Sequence, residues 1–192
     1  MKKLVLAAAM LGMLVAFPVA AAAGDTGYVK LSLWDDIAIA APNKIHNITG
    51  VDLGIGSKAD TVDGIQWDFI YNNTHKVRGI KSAYFYETAD IVYGLEGGLV
   101  SINRQEMKGI HGGLVSIDEG EMAGIHGGLV TIDKGDITGL QYGFVNYTSG
   151  SLTGVQLGLV NYVNHIKGLQ IGLLNIAKNG WLPAMILVNG RF

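Results

Sequence analysis

The chain contains no cysteine. No disulfide framework and no thiolate metal site is open to it, and neither is a lipid anchor that needs a cysteine at its cleavage point. Neither sign of charge dominates: 14 basic and 16 acidic residues are scattered along 192, without the basic patch a nucleic-acid partner would need. Beyond the N-terminus no apolar run approaches the roughly 20 residues of a membrane helix. Motifs of catalysis are missing too. There is no G-x-S-x-G, no H-E-x-x-H and no phosphate loop, and a regular array offers no evident cleft. The expectation is a protein that is not an enzyme and takes no cofactor.

At the start, Met1-Lys2-Lys3 precedes an apolar run from Leu4 to Phe17, then Pro18 and small residues to Ala23. This order of charged, apolar and small residues is that of a secretory signal peptide, residues 1–23. The run is too short to span a bilayer comfortably. Residues 24–49 form an N-terminal strand and lead-in: Val29, Leu31 and Leu33 alternate with Lys30 and Ser32, the period of a strand.

Glycine is 28 of 192, about twice its usual share of roughly 7%, and it is periodic. It recurs at 50, 64, 79, 94, 109, 124, 139, 154 and 168. Residues 50–177 are thus nine repeats of 14–15 residues, and such a period governs the fold. The clearest copies read GLQYGFVNY, GVQLGLVNY and GLQIGLLNI. The first, third and fifth residues after the leading glycine are mostly apolar and the second is polar, which is period-two strand alternation. Two glycines per copy also disfavour helix, each by about 1 kcal/mol. Residues 178–192 depart from the repeat and read as a C-terminal capping strand.

Two folds suit such a repeat. The first is an all-β solenoid of about nine coils stacked in parallel about 4.8 Å apart. Leu114, Leu129, Phe144, Leu159 and Leu173 would then stack in the core, and Asn146, Asn161 and Asn175 would form an amide ladder. Leu-Val pairs such as Leu114-Val115 put apolar atoms on both strand faces, so a solenoid must bend there or cover the outer ladder. The alternative is a small up-and-down outer-membrane β-barrel, favoured by the terminal Phe192. Against it, the strand count would be eleven, whereas bacterial barrels are even. Each apolar face would also rise only about 13 Å against a band of roughly 25 Å.

The repeats GLQYGFVNY, GVQLGLVNY and GLQIGLLNI resemble the G-x-Q-x-G-x-x-N surface-repeat family of exported bacterial proteins, first named from a leptospiral protein. The closing GLLNIAKNGWLPAMILVNGRF is similar to that family's ending. The resemblance covers Gly50 to Phe192 and is strong from about Gly94. It implies export and an envelope or surface location, and it implies no activity. The residues it carries are Gln141, Gln156, Gln170, Asn146, Asn161 and Asn175, read as structural ladders.

Among groups that could do chemistry, Glu96, His111 and His126 hold the second position of adjacent copies. Two imidazoles and a carboxylate on one surface could hold zinc or a similar ion. The plainer reading is a solvent-facing polar ladder varying among Glu, His and Gln. Asp118, Glu119, Glu121, Asp133 and Asp136 crowd two successive turns. The calcium motif G-G-x-G-x-D is absent there and Lys134 intervenes, so they read as a soluble turn surface. Trp67, Phe69, Tyr71, Tyr84, Phe85 and Tyr86 read mostly as core, with Phe85 on the other face as part of a partner surface.

The expected function is that of a non-enzymatic cell-envelope or surface protein, a β-repeat scaffold for binding or self-association. The alternative is a structural or pore-like outer-membrane barrel. Its place is the periplasm, outer membrane or cell surface of a Gram-negative bacterium. Its partner is an unidentified envelope protein, the outer membrane itself or a second copy.

Overall fold

The computed structural model describes residues 25–40 and 45–192. The signal peptide read over residues 1–23 lies outside the described residues. Strands account for nearly all of the rest: β1 (Thr26–Trp34), β2 (Ile37–Ala40), β3 (Asn47–Asp118), β4 (Glu121–Asp133), β5 (Ile137–Tyr142), β6 (Val145–Leu157), β7 (Val160–Ala177) and β8 (Ala184–Arg191).

Successive copies pair parallel and in repeat register. Gly109 lies beside Gly124, His111 beside His126 and Asp118 beside Asp133. The same holds for Gln141 beside Gln156 and for Asn146 beside Asn161. The fold is therefore a β-solenoid. The up-and-down barrel is not what this chain forms, because neighbouring strands of such a barrel run antiparallel.

Fewer turns are separately delimited than the nine expected from the glycine count. From β3 onward the parallel steps between consecutive strands are four: β3 to β4, β4 to β5, β5 to β6 and β6 to β7. Residues 47–118 are strand without a break, so their coils, stacked from Gly50 through Gly64, Gly79 and Gly94 to Gly109, are not separately delimited. The leading glycines themselves remain in one column. Each has φ between 135° and 145°, and from Gly64 to Gly168 a Cβ would overlap the carbonyl oxygen of the leading glycine one copy before. Only glycine combines that φ with so close a backbone approach.

The cross-section inverts the expected one. Leu114, Leu129, Phe144, Leu159 and Leu173, expected in the core, are exposed, Phe144 by 57% and Leu173 by 61%. So are Trp67, Phe69, Tyr84 and Tyr86, while Phe85, expected on the other face, is exposed as expected. The second-position ladder, expected to face solvent, is fully buried from His111 through Gln170. The reason is a change of phase. In the copy from Gly109, His111 points in; Leu114 and Val115 both stay out of the core, and Ser116 and Asp118 point in. Two successive outward residues make a corner, and the alternation resumes with opposite parity beyond it.

The interior then holds one main apolar ladder, Val77, Val92, Met107, Met122, Ile137, Leu152 and Ile166, one residue per copy from just after the turn. Most of the remaining interior side chains are polar. Antiparallel strands cover both ends: β2 lies on β1 and β8 on β7, which shields edges that would otherwise recruit further strands.

Candidate functional site

Inside the stack, identical amides join copy to copy. Asn146 Nδ2 donates to Asn161 Oδ1 at 2.8 Å and Asn161 Nδ2 to Asn175 Oδ1 at 2.7 Å. Gln156 Nε2 donates to Gln141 Oε1 at 2.6 Å and Gln170 Nε2 to Gln156 Oε1 at 2.7 Å. Each carboxamide has both a donor and an acceptor, so neighbours in a column satisfy one another, with Gln170 Oε1 left unpaired at its end, and a buried polar group with partners avoids the penalty of an orphan.

The histidines occupy the same column. His111 accepts or donates at both nitrogens: Nδ1 lies 2.9 Å from Asp118 Oδ2 and Nε2 2.7 Å from Ser101 Oγ. His126 repeats this with Asp133 at 3.0 Å and Ser116 at 2.8 Å. All six side chains are fully buried. Burial pulls the His111 imidazolium down, but the charge and hydrogen bond of Asp118, with Glu96 and Glu87 beyond, push it up to about 9. Burial raises Asp133 despite its bond to His126.

This is twice the hydrogen-bond pattern of a Ser-His-Asp hydrolase triad, which the sequence reading missed. The members are 10 and 7 residues apart, and they come together only when the fifteen-residue stack closes. A triad needs an Oγ that a substrate carbonyl can reach and an imidazole free to take its proton. Here the hydroxyls are sealed inside the solenoid, and His111 already holds the proton.

The expected metal trio is rearranged. His111, His126 and Asp118 bring one ligand atom each within 4.8 Å, whereas Glu96 turns to Lys81, 3.2 Å away. The two imidazole planes are parallel within 1°. Their ring nitrogens therefore point side by side and do not converge on one ion, as tetrahedral coordination requires, and a protonated His111 has no lone pair to give. Of the turn acids, Asp118 and Asp133 are buried against the histidines, while Glu119, Glu121 and Asp136 are exposed.

Nearer the N-terminus the polar interior is less well matched. Lys81 lies between Glu87 and Glu96, and burial pushes Glu87 up to about 7. Asp68 is fully buried with neither oxygen hydrogen-bonded. Burial, reinforced by the charge of Asp52, raises it to about 8.

The outer surface is divided. In the copies from Gly94 to Ile176, the first, third, fifth, sixth and eighth positions hold only Leu, Ile, Val, Phe, Tyr and Gly. A groove of about 550 Å³ on this surface is lined by Leu140, Tyr142, Phe144, Leu157 and Leu159 and by the glycines among them. Exposed charges gather instead on the turn edge, where Arg78 meets Asp63 at 2.6 Å, Arg104 meets Asp90 at 3.2 Å and Lys134 meets Glu119 at 2.6 Å.

The fold defines a parallel β-solenoid with a polar interior and, in the copies from Gly94, an uncharged outer surface that wraps the Leu-Val corner. No protein-family model, no curated protein and no solved structure matches the chain.

Proposed function

We propose that this protein is a non-enzymatic β-solenoid scaffold of the bacterial cell envelope or surface, exported by its N-terminal segment, which binds or self-associates through its uncharged face. The observation that carries the reading is that face itself. Side chains such as Leu114, Phe144, Leu159 and Leu173 stand exposed in register over six successive copies. A contiguous apolar surface of this kind marks an interaction site. The resemblance of the repeats to exported surface-repeat proteins supports the same location. The sealed Ser-His-Asp sets and the parallel, non-converging imidazole rings support a structural role for the interior.

Fractionation of the producing cells tests the location. A C-terminally tagged chain should be recovered, shortened near Ala23, in the envelope fraction. Recovery of the full-length chain in the cytoplasm would overturn the proposal.

A further inference from the structure

The chemistry of the uncharged face indicates what covers it. Its thirty outward positions between Leu95 and Ile176 carry no carboxylate, ammonium, guanidinium or amide; the only polar side-chain atoms are tyrosine hydroxyls. The backbone beneath is occupied, because the N–H and C=O groups of each copy pair with the copies before and after. A folded protein partner normally makes about one hydrogen bond per 100–200 Å² of interface, and this face has almost nothing to offer it. Hydrocarbon asks for none.

Charge gives a second, independent indication. From Ile137 to Phe192 the chain has Lys167, Lys178 and Arg191 and not one Asp or Glu. Lys167 and Lys178 are exposed on the turn edge beside the uncharged face. The charged side chains of that third are all basic, and the nearest carboxylate, Asp136, borders it at Ser151. The same region carries exposed Tyr142, Tyr147 and Trp181, aromatic types that favour the boundary between hydrocarbon and headgroups. Long lysine stems can lie along apolar surface while their ammonium groups stay at the water boundary.

We infer that the C-terminal half of the uncharged face binds an anionic lipid bilayer, with Leu159, Leu173 and their neighbours among the acyl chains and Lys167, Lys178 and Arg191 on the phosphates. The solenoid lies on the membrane and does not cross it. Polar groups inside and apolar groups outside are the arrangement that contact with hydrocarbon favours, as in membrane barrels, but here it is confined to the two sides that meet at the Leu-Val corner and stops at the turn edge. The inference rests on the proposed role of this face and names its partner.

Vesicle flotation of the full chain tests it, using phosphatidylcholine with and without phosphatidylglycerol. Residues 1–23 are common to every variant, so only differences between variants are read. Leu159→Glu with Leu173→Glu should lower the vesicle-bound fraction at least about tenfold, since a charge among acyl chains is strongly disfavoured. Circular dichroism and the melting temperature should be unchanged, because both sites are exposed. Lys167→Gln and Lys178→Gln should each weaken binding about fivefold, on phosphatidylglycerol vesicles only. Unaltered flotation of the Leu159/Leu173 variant overturns the inference. So does a wild-type chain that ignores vesicles but dimerises in solution and becomes monomeric in that variant; this outcome would keep the binding face and replace the lipid by a second copy. A wild-type chain that does neither removes the function proposed for the face as well.

Discussion

The imidazole rings of His111 and His126 lie face to face inside the solenoid, centroids 4.9 Å apart and planes within 1°. Asp118 sits between them, 2.9 Å from His111 Nδ1 and 3.3 Å from His126 Nδ1. The spacing is that of adjacent strands, and Tyr147 and Tyr162 stack on the surface at a similar 5.0 Å. Identical side chains fifteen residues apart are thus held as rungs, whether inside or out.

Stability should fall as pH rises. His111 goes from an ordinary 6.5 to about 9, so its contribution is complete below 6.5 and is lost as pH passes 9. Glu87 and Asp68 are raised to about 7 and about 8; the folded state favours their protonated forms and loses that advantage as pH climbs through those values. All three act in one direction. Thermal melting between pH 5 and pH 9 should show a declining midpoint, and a midpoint that is flat or rising over this span would contradict the assignment. Asp68→Asn, which mimics the neutral acid, should flatten the decline.

Removing the counter-charge should be worse than removing a surface pair. Asp118→Asn leaves the buried His111 imidazolium without its nearest anion, a loss expected to be about 3–5 kcal/mol. Lys134→Gln breaks an exposed pair with Glu119 and should change stability by less than about 1 kcal/mol. Chemical denaturation of the two variants would compare them directly.

Two alanines for glycine should behave differently. At Gly124, with φ of 135°, a Cβ would overlap the Gly109 carbonyl oxygen. Strain at such a φ is worth about 1–3 kcal/mol before any overlap is counted, so Gly124→Ala should be severely destabilising or insoluble. At Gly112 the nearest atom to an added Cβ is 3.7 Å away, and Gly112→Ala should melt within a few degrees of wild type. Similar melting of both variants would show that the glycine column is not the constraint described.

Polar and apolar positions should exchange their customary sensitivities. Asn161→Ala removes bonds to Asn146 and Asn175 and leaves buried amide groups unpaired, at about 1–3 kcal/mol each. Leu159→Ser alters an exposed residue and should stay within about 0.5 kcal/mol in the absence of a membrane. In the apolar ladder, Met122→Ala should lose about 2–5 kcal/mol through the cavity it opens. Urea midpoints for the three rank them, and a Leu159 variant less stable than the Asn161 variant would refute the inverted cross-section.

Much of this architecture was legible. Glycines from 50 to 168 give the period, the alternation after each gives strand, and the Leu-Val pairs require a corner. The residue after each turn, Met107 through Ile166, stands out as apolar in the sequence, although nothing there marks it as the main apolar core. Which face lies inside was not legible. Alternation at Gly139-Leu140-Gln141-Tyr142 distinguishes two sides equally well with either one inward. The usual preference for buried leucine over glutamine chooses wrongly, because it treats each polar residue as if it were buried alone.

The sequence by itself determined a repeat of 14–15 residues with strand alternation, in which the copies from Gly94 have an uncharged side and a polar side and exposed charges fall mostly at the turns. Tertiary structure alone decided that Gln141, Asn146, His126 and Asp133 face inward and Leu159 outward. The physical reason is that a buried amide or imidazole is tolerable only with a partner at hydrogen-bonding distance. That partner lies across the same coil, as Asp133 does from His126, or in an adjacent copy, as Asn161 does from Asn146, and both are brought within reach only when the coils close and stack.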